Sequence, residues 1–386
     1  MPTPILPNAI STERAAARGA SGPARTPASL GLRLPAEWEP HAATWLSWPH
    51  NVETWPGRFA AIPPLFCAMV SALHLRERVH ICVNDAAAGR AVVSRLARSG
   101  VDGDRLGVYA IPTNDAWARD HGPIFVTRPS RDRAARTELA LVDWRFNSWG
   151  GKYPPWDLDD AVASHIATRL AIPRFVPGLV LEGGSIDVNG RGTLLTTEAC
   201  LLHPNRNPAL DRQDMEAALR AFLGVDTIVW LGAGIVGDDT DGHVDDLARF
   251  VNPTTVVCAV EDDPLDPNYR PLQDNLARLR RATDQAGRRL TVVPLPMPEP
   301  VLSKDTDSPR LPASYANFYI ANGLVLVPTY DQPNDRRALD ILRGLFPDRR
   351  VLGLPCSDLV LGLGAIHCVT MQQPAADGAP PGNGVE

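Results

Sequence analysis

Residues 247–260 read LARFVNPTTVVCAV, and this stretch contains the unit from which the fold can be predicted. Two short apolar segments, 247–251 and 255–260, flank Asn252-Pro253. An asparagine followed by proline is typical of a turn, and two apolar strands joined by a turn predict a β-hairpin.

The same pattern recurs along the chain. It pairs GPIFVT with LALVDW (122–144), SIDV with TLLTT (185–197) and NFYIA with LVLVP (317–328), and a fifth pair between IHCVTM (366–371) and ATWLSW (43–48) would close the chain on itself. Helical periodicity is found at about 59–76, 86–99, 159–171, 208–223, 270–286 and 334–346. An open doubly wound sheet would alternate single strands with helices. The hairpins therefore favour a ring of repeated α/β units.

Composition narrows the classes of function. A chain of 386 residues with 44% hydrophobic content can bury a large core, and its net charge of −6 suits a small cationic substrate better than nucleic acid or an anionic membrane. No apolar run approaches the roughly 20 residues of a membrane-spanning helix. The six cysteines show no CxxC spacing, so a reducing cytoplasm is expected. We predict a disordered leader (1–30), one α/β domain (31–374) and a disordered tail (375–386), and a homo-oligomer is compatible with the sequence.

Chemically useful residues recur at equivalent places in the predicted repeat. Asp120, Glu182 and the pair His243 and Asp245 each stand just before the first strand of a hairpin. Cys368 closes the run GLGAIHC (362–368), in which the two glycines would let the backbone approach a ligand and Ile366 would lead into a strand that delivers the thiol. Equivalent positions of a cyclic repeat project to one end of its axis. These groups are therefore expected to converge on a central cleft.

The densest acidic stretch is GDDTDGHVDD (237–246). If it is extended, Asp241, His243 and Asp245 share one face, which would place a general acid or base beside a carboxylate. Neither the EF-hand spacing nor HExxH is present, so no catalytic metal is expected. Residues 232–237 match GxGxxG, but the carboxylates that follow would repel a pyrophosphate, so we expect no dinucleotide cofactor.

Two further motifs lie at strand ends. WARD (117–120) would supply Trp117 as an apolar wall and Asp120 as a cation receptor. Glu182 could orient His243 or bind substrate directly, and Asp115 and Asp241 could each hold either backbone or substrate.

A thiol, a histidine and an excess of carboxylates make up this set of residues. A peptidase or amidase would need hydrogen-bond donors for an oxyanion and only one orienting acid. A guanidinium fits better, because two carboxylates can grip its fork of N–H donors and its central carbon accepts a thiolate.

The chain resembles the agmatine deiminase family of the pentein, or guanidine-modifying, superfamily, which is related to bacterial peptidylarginine deiminase. Resemblance runs from about 33 to 374, through LPAEWEPHAATWLSWP (34–49), NDAWARDHGP (114–123), FNSWGG (146–151), LEGGS (181–185), GTLLTTEACLLHPNRNP (192–208), DDTDGHVDD (238–246), LPASYANFYIANG (311–323) and GLGAIHC (362–368).

This resemblance implies a five-fold pseudosymmetric α/β propeller with Cys368 as nucleophile. Asp120 and Asp245 would hold the guanidinium, His243 would shuttle protons and Glu182 would support it. The implied reaction converts agmatine and water into N-carbamoylputrescine and ammonia through a covalent thiouronium, as a step of polyamine metabolism. A peptidylarginine or another guanidino substrate, an amidinotransferase and an inactive binding paralogue are the alternatives. Many relatives have GGGNIHC where this chain has Leu363 and Ala365, so the pocket lining is expected to differ there.

Overall fold

The structure is a computed structural model that describes residues 25–101, 103–128, 138–303 and 309–376. Most of the leader 1–30 and of the tail 375–386 lies outside the described residues, and the division into leader, domain and tail stays a prediction. Within the predicted leader, Ala28–Leu30 forms a 3-10 helix.

The described strands form five small sheets, one for each predicted repeat. The first has the order β16-β1-β2-β3, and the others follow the chain as β4-β5-β6, β7-β8-β9, β10-β11-β12 and β13-β14-β15. In chain order their bounds are β1 His41–Ser47, β2 Arg78–Val83, β3 Leu106–Ala110, β4 Ile124–Arg128, β5 Glu138–Val142, β6 Arg174–Phe175, β7 Asp187–Val188, β8 Thr193–Thr197, β9 Thr227–Leu231, β10 Ala248–Asn252, β11 Thr255–Val260, β12 Thr291–Pro296, β13 Tyr319–Ala321, β14 Leu324–Thr329, β15 Arg350–Pro355 and β16 Met371–Pro374.

Each sheet repeats one unit, in which an antiparallel pair is followed by a helix and a parallel strand. The described α-helices are α1 Ile62–Leu73, α2 Ala86–Arg98, α3 Ala118–His121, α4 Ser148–Gly151, α5 Asp157–Leu170, α6 Glu198–Leu201, α7 Arg212–Leu223, α8 Tyr269–Arg281 and α9 Pro333–Leu345. Five of them, α1, α5, α7, α8 and α9, carry the crossover to the parallel strand. This arrangement confirms the predicted ring of α/β units.

The opening stretch shows why the unit forms. Strands β10 and β11 pair from Ala248 with Cys258 to Asn252 with Thr255, so the turn lies where Asn252-Pro253 predicts it. All six residues of β11 are buried, because α8 covers the sheet with Leu272, Leu276 and Leu279 at the spacing of one helical face. The hairpin and its helix therefore bury a common core.

Ring closure is confirmed in outline but differs in detail. Strands β16 and β1 pair antiparallel, from His41 with Pro374 to Trp45 with Met371. The prediction that Cys368 lies in this strand is wrong, because residues 366–369 form a turn and β16 begins at Met371. The Thr370 hydroxyl donates to the carbonyl oxygens of Ile366 and His367, so local hydrogen bonds override the β propensity of Ile366.

The condition under which Asp241, His243 and Asp245 would share one face, an extended segment at 241–245, is not met. Asp241 has a left-handed φ of 68°, and Val244–Asp246 forms a 3-10 helix, so the residues do not alternate between two faces. The helix predicted for 270–286 ends at Arg281.

We expect Leu279→Ala to lower the free energy of unfolding by about 2–5 kcal/mol, because Leu279 lies on the buried face of α8 and is inaccessible to solvent. Leu265→Ala is the matched control, since Leu265 is 91% exposed and its truncation should change the free energy by less than about 0.5 kcal/mol. Urea unfolding followed by circular dichroism measures both. Equal losses in the two variants would contradict this account of the core.

Candidate active site

Short turns that precede the first strand of each sheet carry the polar groups. Asp120 lies on α3 before β4, Glu182 precedes a 3-10 turn before β7, and Asp245 lies on the 3-10 turn before β10. Asn317 occupies the corresponding place before β13, and Cys368 lies in the turn before β16. These equivalent positions bring five polar side chains toward one end of the ring axis.

Gly184 shows how closely the groups approach. Its backbone N–H donates to Asp120 Oδ1 at 3.0 Å. A Cβ at this position would lie 2.6 Å from His243 Nδ1, 2.9 Å from Asp120 Oδ1 and 3.0 Å from Asp245 Oδ2. A glycine is therefore required where Asp120, His243 and Asp245 meet.

His243 lies between two carboxylates without hydrogen bonding to either. Its Nδ1 is 3.8 Å from Asp120 Oδ1, and its Nε2 is 3.9 Å from Glu182 Oε2. Burial disfavours the imidazolium, but Asp120, Cys200 and Glu182 raise the pKa of His243 well above its usual range. The protonated ring can therefore act as a general acid.

Glu182 and Asp245 are each anchored through one oxygen, whereas both oxygens of Asp120 accept hydrogen bonds. Glu182 Oε1 accepts from Arg206 Nε at 2.7 Å, and Asp120 Oδ2 accepts from Trp149 Nε1 at 2.9 Å. Asp245 Oδ2 lies 2.6 Å from His367 Nδ1. Among the described residues, Glu182 Oε2, Asp245 Oδ1 and both ring nitrogens of His243 are buried without a hydrogen-bond partner. Such buried groups are costly unless a ligand satisfies them.

Burial favours a higher pKa for all three carboxyl groups, and the neighbouring charges decide the net direction for each. Burial raises the pKa of Asp120, where Asp245 and Glu182 add to the effect. It would also raise the pKa of Glu182, but His243 and Arg206 hold that pKa below its usual value. In the same way, His367 outweighs burial and lowers the pKa of Asp245.

The thiol of Cys368 faces the cleft and is held by Asn317. Asn317 Nδ2 donates to Cys368 Sγ at 3.2 Å, and Asn317 Oδ1 accepts from the backbone N–H of His367 at 2.9 Å. Burial raises the pKa of Cys368 well above its usual value, and Asp245, Asp246 and Asp120 raise it further. In the empty site the sulfur is thus a thiol, and a bound cation would favour the thiolate.

A cleft of about 1030 Å³ opens onto Cys368 and Asp120. Trp117 forms one wall, as predicted from WARD. Both glycines of GLGAIHC line this cleft and also pack closely against tryptophans, because a Cβ at Gly364 would lie 2.5 Å from the Trp117 ring and one at Gly362 would lie 2.6 Å from Trp55 Nε1. Close packing on Trp55 and Trp117 is thus one reason for glycine here, and approach of the backbone to a ligand stays a prediction.

Asp115 and Asp241 both bind groups of the protein itself. Asp115 accepts from the Thr54 hydroxyl at 2.6 Å and from the Ala116 N–H at 2.7 Å, so it holds backbone at the cleft wall. Asp241 accepts from Arg206, which in turn holds Glu182.

Several neighbours of the site were not singled out from the sequence: Glu37, Trp149, Arg206, Asn317 and His367. Asn317 could have been found, because it opens the predicted strand NFYIA, close to the place that Asp120 and Glu182 take before theirs. The other four act through contacts between distant segments and leave no such local signal.

One group of buried side chains could hold a metal ion. Ligand atoms of Glu182, Cys200 and His243 lie within 4.8 Å of one another. The Arg206 guanidinium, 2.7 Å from Glu182, already supplies positive charge beside them. The proton chemistry described above requires only the side chains themselves.

A five-unit α/β ring with a thiol, an imidazole and carboxylates at one end of its axis defines the pentein, or guanidine-modifying, class. Residues 33–374 match the model of the Porphyromonas-type peptidyl-arginine deiminase family. The chain is 41% identical over 374 residues to an agmatine deiminase of Ectopseudomonas mendocina, covering 92% of this chain and 98% of the relative.

Solved structures agree with this match. The agmatine deiminase of Enterococcus faecalis superposes with a TM-score of 0.83 at 36% identity, covering 91% of this chain and 98% of the other. For a putative arginine deiminase from Porphyromonas gingivalis, the TM-score is 0.78 at 38% identity, covering 89% and 98%. The chain belongs to the Porphyromonas-type peptidyl-arginine deiminase family, and the expected resemblance and pentein fold are confirmed.

We expect Asp245→Asn to speed the alkylation of Cys368 by neutral iodoacetamide at pH 8, by about three- to tenfold, because the Asp245 charge raises the pKa of the thiol. Mass spectrometry of the Cys368 peptide measures the rate, and Asp340→Asn at the surface is the control. A slower or unchanged rate would contradict the electrostatic assignment.

We also expect turnover to survive dialysis against EDTA or phenanthroline within about twofold, since the donors around His243 can move protons without a metal ion. Metal content by mass spectrometry should accompany the assay. Loss of activity on chelation, restored by one divalent metal, would contradict this prediction.

Proposed function

We propose that this protein hydrolyses the guanidino group of agmatine to N-carbamoylputrescine and ammonia. The observation that carries the proposal is a set of buried acceptors around a thiol, Glu182 Oε2 and Asp245 Oδ1 foremost, which have no hydrogen-bond partner within the described part of the chain. A guanidinium supplies N–H donors in several directions at once and neutralises the carboxylates. Curated relatives about 40% identical to the chain are agmatine deiminases.

In this mechanism Asp120 and Asp245 hold the guanidinium, and Trp117 packs beside it. The bound cation offsets the field of the carboxylates and favours transfer of the Cys368 proton to water. The thiolate then attacks the guanidino carbon and forms a C–S bond. His243 donates its proton to one amino group, the C–N bond breaks and ammonia leaves. A thiouronium on Cys368 remains.

The second half reverses the role of His243. The neutral imidazole removes a proton from water while the resulting hydroxide attacks the thiouronium carbon. The C–S bond then breaks, the thiolate leaves and the ureido product is released with loss of one proton. Glu182 supports the imidazolium in both halves.

The cleft walls support agmatine as the substrate. Of the described residues that line the cleft, six carry carboxylates: Glu53, Asp115, Asp120, Asp159, Asp238 and Asp239. Lys152 also lines it, but its ammonium pairs with Asp239 and Asp241. The distal ammonium of agmatine suits such walls, whereas the α-carboxylate of free arginine would be repelled.

The remaining expectations belong to the same proposal. Among the described residues no helix has both the length and the apolar character needed to cross a bilayer. A cytoplasmic location, no nucleic-acid partner and a place in polyamine metabolism stay predictions, and the oligomeric state is left to measurement. Ammonia release without an acceptor amine separates this hydrolase from an amidinotransferase.

The test is an assay of ammonia and ureido product with agmatine, free arginine and a peptidylarginine. We expect agmatine to be turned over with a kcat/KM at least about 100-fold above that of arginine, since a misplaced charge costs about 3 kcal/mol or more in such a cleft. Cys368→Ser should fold as the wild type and lose turnover.

Preference for peptidylarginine would replace the substrate while keeping the reaction. Turnover of none of the three would overturn the proposed function and favour an inactive binding paralogue. Near-normal activity of Cys368→Ser would show that the nucleophile is misassigned.

A further inference from the structure

Glu37 lies at the centre of the ring, on the segment that precedes β1. Its side chain is buried and accepts four hydrogen bonds. Oε1 accepts from the Ile320 N–H at 2.8 Å and from Arg249 Nη2 at 2.9 Å. Oε2 lies 2.8 Å from His367 Nε2 and accepts from Arg119 Nη2 at 3.2 Å.

The donors come from different repeats of the ring. Arg119 lies on α3 before β4, Arg249 on β10, Ile320 on β13 and His367 in the turn before β16. Arg249 also donates to Asp187 of β7 at 2.6 Å, which adds the remaining repeat. Burial opposes ionisation, but Arg249, His367 and Arg119 hold the pKa of Glu37 well below its usual range. The Glu37 carboxylate therefore binds donors from four repeats directly and is linked to the fifth through Arg249.

His367 joins this carboxylate to the active site. Its Nε2 is 2.8 Å from Glu37 Oε2, and its Nδ1 is 2.6 Å from Asp245 Oδ2. Both ring nitrogens face carboxylate oxygens, so both must carry hydrogen for the two bonds to form, which requires the imidazolium. Glu37 thus stabilises the cation that holds Asp245.

Asp245 is held through one oxygen and open through the other. Oδ2 is bound by His367, whereas Oδ1 is buried and has no partner among the described residues. Because a charge-assisted bond at one oxygen fixes the plane of the carboxylate, it also fixes the direction in which the other oxygen meets a substrate.

We propose that Glu37 and His367 are positioning residues that hold Asp245 ionised and aimed at the substrate guanidinium. The inference rests on the proposed function for the role of Asp245. Neither residue lines the cleft beside Cys368. The side-chain contact between His367 and Asp245 is the route by which we expect them to act, and an effect by this route would appear as substrate affinity.

The substitutions Glu37→Gln and His367→Asn test the proposed series of contacts from Glu37 through His367 to Asp245. Glutamine removes the charge that stabilises the imidazolium, and asparagine keeps one N–H donor near the place of Nδ1 while breaking the link to Glu37. We expect each variant to raise KM for agmatine about tenfold and to change kcat less than threefold, because an interaction made equally in the ground and transition states affects KM alone. Calorimetric titration of each variant in a Cys368→Ser background should show the same loss of affinity.

The double variant gives the sharper result. If Glu37 acts only through His367, the double variant should also lose about tenfold, whereas independent effects would multiply to about 100-fold. If the effects of the two single variants on KM multiply in the double variant, the proposed action of Glu37 through His367 is overturned.

Two controls separate positioning from stability. Glu39→Gln makes the same substitution two residues away, where the carboxylate pairs with Arg33 at the surface, and should leave KM unchanged. Leu279→Ala loses stability far from the site and should also leave KM unchanged. If the Glu37 and His367 variants lower the melting temperature but keep KM within twofold, the pair is structural only and the inference fails.

The outcome is distinguishable from failure of the proposed substrate. If the wild type turns over another guanidino compound and not agmatine, KM for that compound is measured in the same variants. If Glu37→Gln does not fold, His367→Asn alone decides, since it must raise KM tenfold by the same route.

Discussion

Burial of negative charge at one end of the ring axis is the constraint on which the rest of the structure depends. Asp120, Glu182 and Asp245 are nearly inaccessible to solvent, and removing ionised carboxylates from water costs several kcal/mol each unless cations and donors surround them. The chain meets this cost with donors to each carboxylate: Trp149 and the Gly184 N–H for Asp120, Arg206 for Glu182, and His367 for Asp245. It leaves the second oxygen of Glu182 and of Asp245 unpartnered among the described residues. A cation bound at this end of the ring would supply hydrogen bonds to these two oxygens.

The same electrostatics governs the nucleophile. Carboxylates that attract a guanidinium also oppose the thiolate, and the pKa of Cys368 is raised by both burial and these charges. A resting thiol avoids the desolvation cost of another buried anion. In the proposed mechanism the substrate carries the positive charge that offsets these carboxylates, so substrate binding and activation of Cys368 would be one event. Asn317 contributes by holding the sulfur at 3.2 Å while the charge balance changes.

Much of the fold and of the site could be predicted because the information is local. The predicted strand pairs at 185–197 and 317–328 contain Asn189-Gly190 and Asn322-Gly323, as 247–260 contains Asn252-Pro253. Asn-Gly is typical of hairpin turns, and Gly190 and Gly323 do adopt the left-handed φ values of 64° and 65°. The place of Asp120, Glu182 and Asp245 before a strand followed from the same repeat. The prediction of a strand at Cys368 failed because local hydrogen bonds override propensity in the turn at 366–369. The packing of Gly362 and Gly364 against Trp55 and Trp117 could not be predicted, because it joins distant segments.

By itself the sequence determined the repeated hairpin-helix-strand unit and the set of reactive side chains, because periodicity and turn chemistry act between near neighbours. Only the tertiary structure decided which atoms meet. Glu37 and His367 are 330 residues apart and approach to 2.8 Å, and no spacing rule predicts such a contact. The protonation of His243 and Cys368 was likewise decided by the folded state. Their pKa values depend on burial and on charges contributed by several separate turns, which exist together only once the ring has closed.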